Sequence, residues 1–144
     1  MPPLWKDRLD YQRAQWTGPP LTSLTSTAGF AQDPNRGHIG IEARNCLSHA
    51  LDGDLDIRPI TAAIGASFDL DPPAPGSTAA YLRGNALETK DPTTDASATA
   101  GIVNVPPGVY TLTMRLGVGG PRIGSLRIAI RPGVWSNVAI FPSP

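Results

Sequence analysis

From Gly37 onward, apolar and polar residues alternate with period two along much of the chain, the spacing of half-buried β-strands. The last third alternates most cleanly. Tyr110, Leu112, Met114 and Leu116 share one face, and Val109, Thr111, Thr113 and Arg115 share the other. Gly117, Gly119, Gly120 and Pro121 mark a reversal, after which IGSLRIAIR places Leu126, Ile128 and Ile130 inward and Ser125, Arg127 and Arg131 outward. A turn at Pro132-Gly133 leads into VWSNVAIF, with Val134, Val138 and Ile140 on the core face and Trp135 and Phe141 opposite. Upstream, HIGIEARNCL sets Ile39, Ile41 and Ala43 against Gly40, Glu42 and Arg44. Residues 56–67 form a second β-rich stretch, in which Pro59 argues for an edge or a bulge. A short third strand centres on Tyr81 and Leu82, ETKDPTTDAS reads as a polar loop, and residues 98–105 form the next strand.

The strongest local signal is GIVNVPPGVYTLTMRLG, residues 101–117. Pro106 and Pro107 cannot donate to a ladder and fix their own φ, so the chain must bend between two apolar runs. This turn is expected to pair strands 98–105 and 109–116. About seven short strands, with turns roughly every ten residues, predict an all-β antiparallel β-sandwich over residues 37–144.

Residues 1–36 read as an N-terminal arm or linker. Trp5, Leu9 and Trp16 would fall within about 40° of one another on a helix, although Gln12 interrupts the stripe and Tyr11 points elsewhere. A short helix or an extended arm fits, docked on its own sandwich or anchored by its aromatics on another chain. Gly18, Pro19 and Pro20 stop any helix, and the Ser/Thr-rich stretch to Arg36 reads as connector.

Composition narrows the function classes. A chain of 144 residues fits one domain able to bury roughly 70% of its unfolded surface. Gly 15 and Pro 16 disfavour long helices. Lys+Arg and Asp+Glu balance at 12 each, which disfavours nucleic acid and anionic membrane as partners. Charges at Lys6, Asp7, Arg8 and Asp10 occupy the place of a signal-peptide core, and no long apolar run predicts membrane insertion. Localisation stays open between a piece of a secreted protein and a chain that works where it is made or in a released particle.

Candidate chemistry is sparse. His38, His49 and Cys46 lack a zinc-type spacing, and no paired acid, nucleophile or phosphate loop stands out, so no catalytic role and no cofactor are expected. Cys46 reads as a small buried hydrophobe. Asp52, Asp54 and Asp56 alternate as calcium ligands can, without the glutamate of an EF-hand loop; the alternative is a solvated acidic loop. Trp135 and Phe141, opposite the core face, need another cover: the chain's own N-terminal segment, a neighbouring chain, or a sugar ring.

The run TDASATAGIVNVPPGVYTLTMRL, with IRPGVWSNVAIFPSP after it, resembles the carboxypeptidase regulatory-like domain, a transthyretin-like or immunoglobulin-like sandwich. Thr94-Asp95 matches its Thr-Asp, Asn104 to Gly108 its turn, Tyr110 the following aromatic and Pro132-Gly133 the closing turn, while Ser97 stands where the family has a glycine. The resemblance covers roughly residues 37–142. It implies a non-catalytic module of bacterial surface or assembly proteins. A hydrolase of purine breakdown shares the transthyretin-type sandwich, but its closing Tyr-Arg-Gly-Ser is absent, the chain ending in FPSP. Two readings follow. One is a structural subunit, with other protein chains or a homo-oligomer as partner, contacting them through Trp5, Tyr11, Trp16, Trp135 and Phe141. The other is a carbohydrate-binding accessory module using exposed Trp135 and Tyr81.

Overall fold

The computed structural model describes residues 29–45 and 61–142. Among these residues every regular element is a strand: β1 (Gly37–Asn45), β2 (Thr61–Ala62), β3 (Ala66–Asp71), β4 (Thr78–Arg83), β5 (Ala86–Glu88), β6 (Thr99–Val105), β7 (Gly108–Leu116), β8 (Arg122–Ile130) and β9 (Trp135–Ile140). They form a large sheet of order β2-β1-β6-β4-β5, with β9 also on β1, and a small sheet β3-β7-β8. The two face each other as a β-sandwich around one apolar core.

The expected fold class therefore stands, with one departure from purely antiparallel pairing. β9 runs parallel to β1, from His38↔Trp135 to Ala43↔Ile140. Its predecessor β8 lies in the other sheet, so the short Pro132-Gly133 turn carries the chain across the sandwich instead of closing a hairpin.

The Pro-Pro turn also differs from expectation. β6 pairs with β1 and β4, whereas β7 pairs with β3 and β8, so the turn is an arch between sheets and not a hairpin. A tight hairpin needs donors near its turn, and two consecutive prolines supply none. The arch is clamped instead by Tyr110, whose hydroxyl donates to the Pro106 carbonyl at 2.9 Å.

The alternation rule correctly places Ile39, Ile41, Ala43, Tyr110, Leu112, Met114, Ile128, Ile130, Val138 and Ile140 in the core, and Leu126 packs against it. It fails where strands run out. Leu116, the last residue of β7, is 56% exposed, and Val134, just before β9, is 43% exposed, because the facing sheet no longer covers them. The stretch at 56–67 is divided: Ile64 and Gly65 form a turn between β2 at the edge of the large sheet and β3 in the small one. Pro59 lies outside the described residues. Two glycines permit close approach across the closing side. A Cβ on Gly124 would clash with the Phe141 carbonyl oxygen, and one on Gly37 with the Arg131 carbonyl oxygen.

Thr94 ties the sheets together before β6 begins. Its buried hydroxyl donates to the Ala63 carbonyl at 2.6 Å and accepts from the Ala66 amide at 2.9 Å. Asp95 then caps the turn, its carboxylate accepting from the Ser97 amide at 2.8 Å while its carbonyl accepts from the Ala98 amide. The left-handed residue of this turn is Ala98, at φ +54°, one position beyond Ser97, where the sequence suggested a missing glycine.

Candidate interaction surface

The outer face of the large sheet is unusually apolar for a surface. His38 on β1, Val103 on β6 and Ala80 on β4 are buried, although their strands turn Ile39, Ile102 and Tyr81 into the core. Part of the cover comes from residues 29–36, which return onto this face. Phe30 packs with Leu82 and Trp135 against Ala80 and Leu87. Trp135 in turn stacks on His38, its register partner, with ring centroids 4.7 Å apart and planes at 28°. The chain's own upstream segment is thus one cover for Trp135. Its indole Nε1 is buried and has no hydrogen-bond partner among the described residues. Beside Phe30, a shallow depression is lined by Leu87, Glu88, Thr89 and Lys90.

What fastens residues 29–36 is a bulge in β6. Gly37 pairs with Val105 and Ile39 with Ile102, so Val103 and Asn104 together oppose the single residue His38. Asn104 takes φ +60°, a conformation its short polar side chain tolerates better than most. There its amide oxygen accepts from the Asp33 N–H at 2.9 Å and its Nδ2 donates to the Ala31 carbonyl at 2.8 Å. Its carbonyl accepts from Arg36 Nη1 at 2.9 Å, and the same nitrogen donates to the Pro75 carbonyl at 2.8 Å. Its backbone N–H donates to His38 Nδ1 at 3.1 Å. That bond requires Nδ1 to be unprotonated. Burial lowers the affinity of His38 for a proton below the ordinary imidazole value, and the nearby Asp33 carboxylate offsets part of the effect.

The remaining described candidates, Tyr81 and Phe141, lie apart from this cluster. Tyr81 is 3% exposed, which corrects its assignment as an exposed ring. It points between the sheets, stacks on Phe68 with centroids 6.2 Å apart, and accepts the Phe68 N–H at 3.2 Å. Burial raises its phenol above the ordinary value. Phe141 is 39% exposed just past β9, and its carbonyl faces Gly124. Trp5, Tyr11 and Trp16 lie outside the described residues, as do Asp52, Asp54 and Asp56 with Cys46 and His49. Among the described residues no three His, Cys, Asp or Glu side chains gather as a metal site would require. Asp69 pairs with Arg115 across the small sheet. No described helix is long and apolar enough to cross a membrane.

Sequence reasoning missed Asn104 and His38 as partners. The signal was present: an Asn directly before Val-Pro-Pro is a residue type enriched at left-handed positions, placed where a strand must end.

No protein-family model matches the chain. No curated protein matches it. Among solved structures, the Bacillus anthracis TIE protein is similar over 75% of this chain and 16% of its own length, at 15% identity and a TM-score of 0.43.

Proposed function

We propose that this chain is a non-catalytic β-sandwich that makes protein–protein contacts through its N-terminal segment as a subunit of a larger assembly. The observation that carries the reading is the fastening of residues 29–36, the described end of the N-terminal segment, by Asn104 and Arg36. A tether held by hydrogen bonds at Ala31, Asp33 and Arg36 fixes the point to which the aromatic-bearing stretch with Trp5, Tyr11 and Trp16 is joined in sequence, which lowers the entropy lost on docking. The resemblance to carboxypeptidase regulatory-like domains supports a scaffold role, because its matching residues Thr94, Asp95, Asn104 and Tyr110 all serve the fold. The carbohydrate-binding alternative used Trp135 and Tyr81 as exposed platforms; the Tyr81 ring is in the core, and Trp135 is half-buried and stacked on His38.

The truncation that tests this proposal removes residues 1–28 and keeps Phe30 to Arg36, since a deletion to residue 36 would strip Asn104 of its partners. Sedimentation of both chains should show self-association of the full chain, a lighter species for the truncated one, and the same unfolding midpoint. Equal association states for the two would overturn the reading.

A further inference from the structure

We infer that His38 and Asn104 form an acid-sensitive latch that releases residues 29–36 from the outer face of the large sheet when the His38 imidazole takes up a proton. The argument begins with geometry. His38 is 2% exposed, and its ring lies between Trp135, stacked at 4.7 Å, and the Asn104 backbone, whose N–H it accepts on Nδ1. Protonation would place an N–H on Nδ1 opposite the N–H of Asn104, turning one partly buried hydrogen bond into two opposed donors. The imidazolium cannot stay where the neutral ring sits, so Asn104 or His38 must move.

Movement of Asn104 bears directly on the segment. The same residue holds Asp33 and Ala31 through its side chain and Arg36 through its carbonyl, so the bulge that donates to the histidine also carries three hydrogen bonds of the segment. Release would also unpack Phe30 from Ala80 and Leu87.

The charged surroundings do not cancel the effect. From the incoming segment come Asp33 and Arg36, which pair with each other at 3.5 Å. From the β8–β9 turn comes Arg131, which meets this region through its backbone carbonyl, against Gly37. The neighbours from β6 and β9, Asn104 and Trp135, are uncharged. On β1 itself, Glu42 and Arg44 pair with one another further along the strand. Asp33 alone favours the imidazolium, and burial outweighs it.

The sign follows from linkage. A histidine held neutral in the closed state and free to titrate in the open state adds opening only as pH falls below its ordinary value of 6.5. For a closed state that binds no proton, the opening constant rises about tenfold between pH 7.5 and 5.5. The structural claim stands alone; its consequence, that acid frees the N-terminal segment from its place in an assembly, rests on the proposed function.

The test is amide hydrogen exchange on the full chain at pH 7.5 and 5.5, corrected for intrinsic rates. Protection of residues 30–36 should fall about tenfold at the lower pH, while the centre of β7 keeps its protection. His38→Gln, which can retain an acceptor but not a proton switch, should abolish the pH step. A proton titration of His38 by NMR on the unmodified protein serves if that variant does not fold. Unchanged protection, a pH step that survives His38→Gln, or a His38 midpoint above 6.5 would each overturn the latch. Sedimentation at both pH values separates the two claims: loss of protection with unchanged association supports the latch and removes only the segment's part in assembly.

Discussion

The two ends of β6 each turn on a non-glycine residue in the left-handed region, Ala98 at φ +54° and Asn104 at +60°, and they are stabilised from opposite directions. Ala98 has no polar group of its own. Its conformation is imposed from outside, by the Thr94 hydroxyl bridging Ala63 and Ala66 and by Asp95 capping the turn through Ser97 and Ala98. Asn104 works from within, its own side chain spending both ends on the incoming segment. Left-handed backbone costs an L-residue roughly 1–2 kcal/mol, so each end must recover that from somewhere. The lesson is where the sensitivity lies: at one end in the neighbours, at the other in the residue itself.

Substitutions should expose that difference, with the largest effect at the externally held end. Thr94→Val keeps shape and removes the hydroxyl, leaving the Ala66 amide and the Ala63 carbonyl without it, and should cost about 3 kcal/mol in a denaturant titration. Asn104→Gly keeps the backbone conformation accessible and deletes two side-chain hydrogen bonds, for a loss of about 2 kcal/mol. That loss should be concentrated in residues 29–36 when read by hydrogen exchange. Tyr110→Phe, just beyond the Asn104 end, removes one bond to the Pro106 carbonyl and should cost about 1 kcal/mol.

Acid should separate the two ends without any substitution. His38 binds protons more weakly in the fold than its ordinary value of 6.5, so its contribution is complete above that pH and is lost as pH falls through the folded value. Asp95 is held below the ordinary 3.8, first by its hydrogen bond from Ser97, so its contribution persists to lower pH and fades only below that value. The Asp33 amide should therefore lose protection at mildly acid pH, with the Ala98 amide losing it only in stronger acid. A common midpoint for both amides would break the comparison. The smallest effect belongs to Ala98→Gly. Relief of the left-handed strain is offset by a lost buried methyl and by unfolded-chain entropy, for a net change within about 1 kcal/mol.

What the sequence disclosed follows the same division between local and distant causes. Period-two alternation places Ile39, Ile41, Leu112, Met114, Ile128 and Ile140 in the core, because facing is a local property of a strand. Sheet membership is not local. The prolines force a bend after Val105, but whether β7 then pairs with β6 or crosses to β3 and β8 depends on partners dozens of residues away. Tyr81 failed for a related reason. Tyr81 and Leu82 are adjacent and both apolar enough to face inward, and the choice was made by Phe68, whose ring and amide meet the tyrosine across the sandwich. The candidate surface was half legible: Trp135 was correctly set opposite Val138 and Ile140, while the Asn104 bulge that positions its cover arises from strand register.

The central claim, that Asn104 fastens the incoming segment to the sandwich, is tested most directly at the Asp33 amide, which donates to the Asn104 side chain at 2.9 Å. In the intact protein at pH 7.5 this amide should exchange far more slowly than in a free peptide. In Asn104→Ala it should lose that protection while the Leu112 amide in β7 keeps its own. An Asp33 amide that exchanges at the free-peptide rate in the unmodified protein would contradict the account.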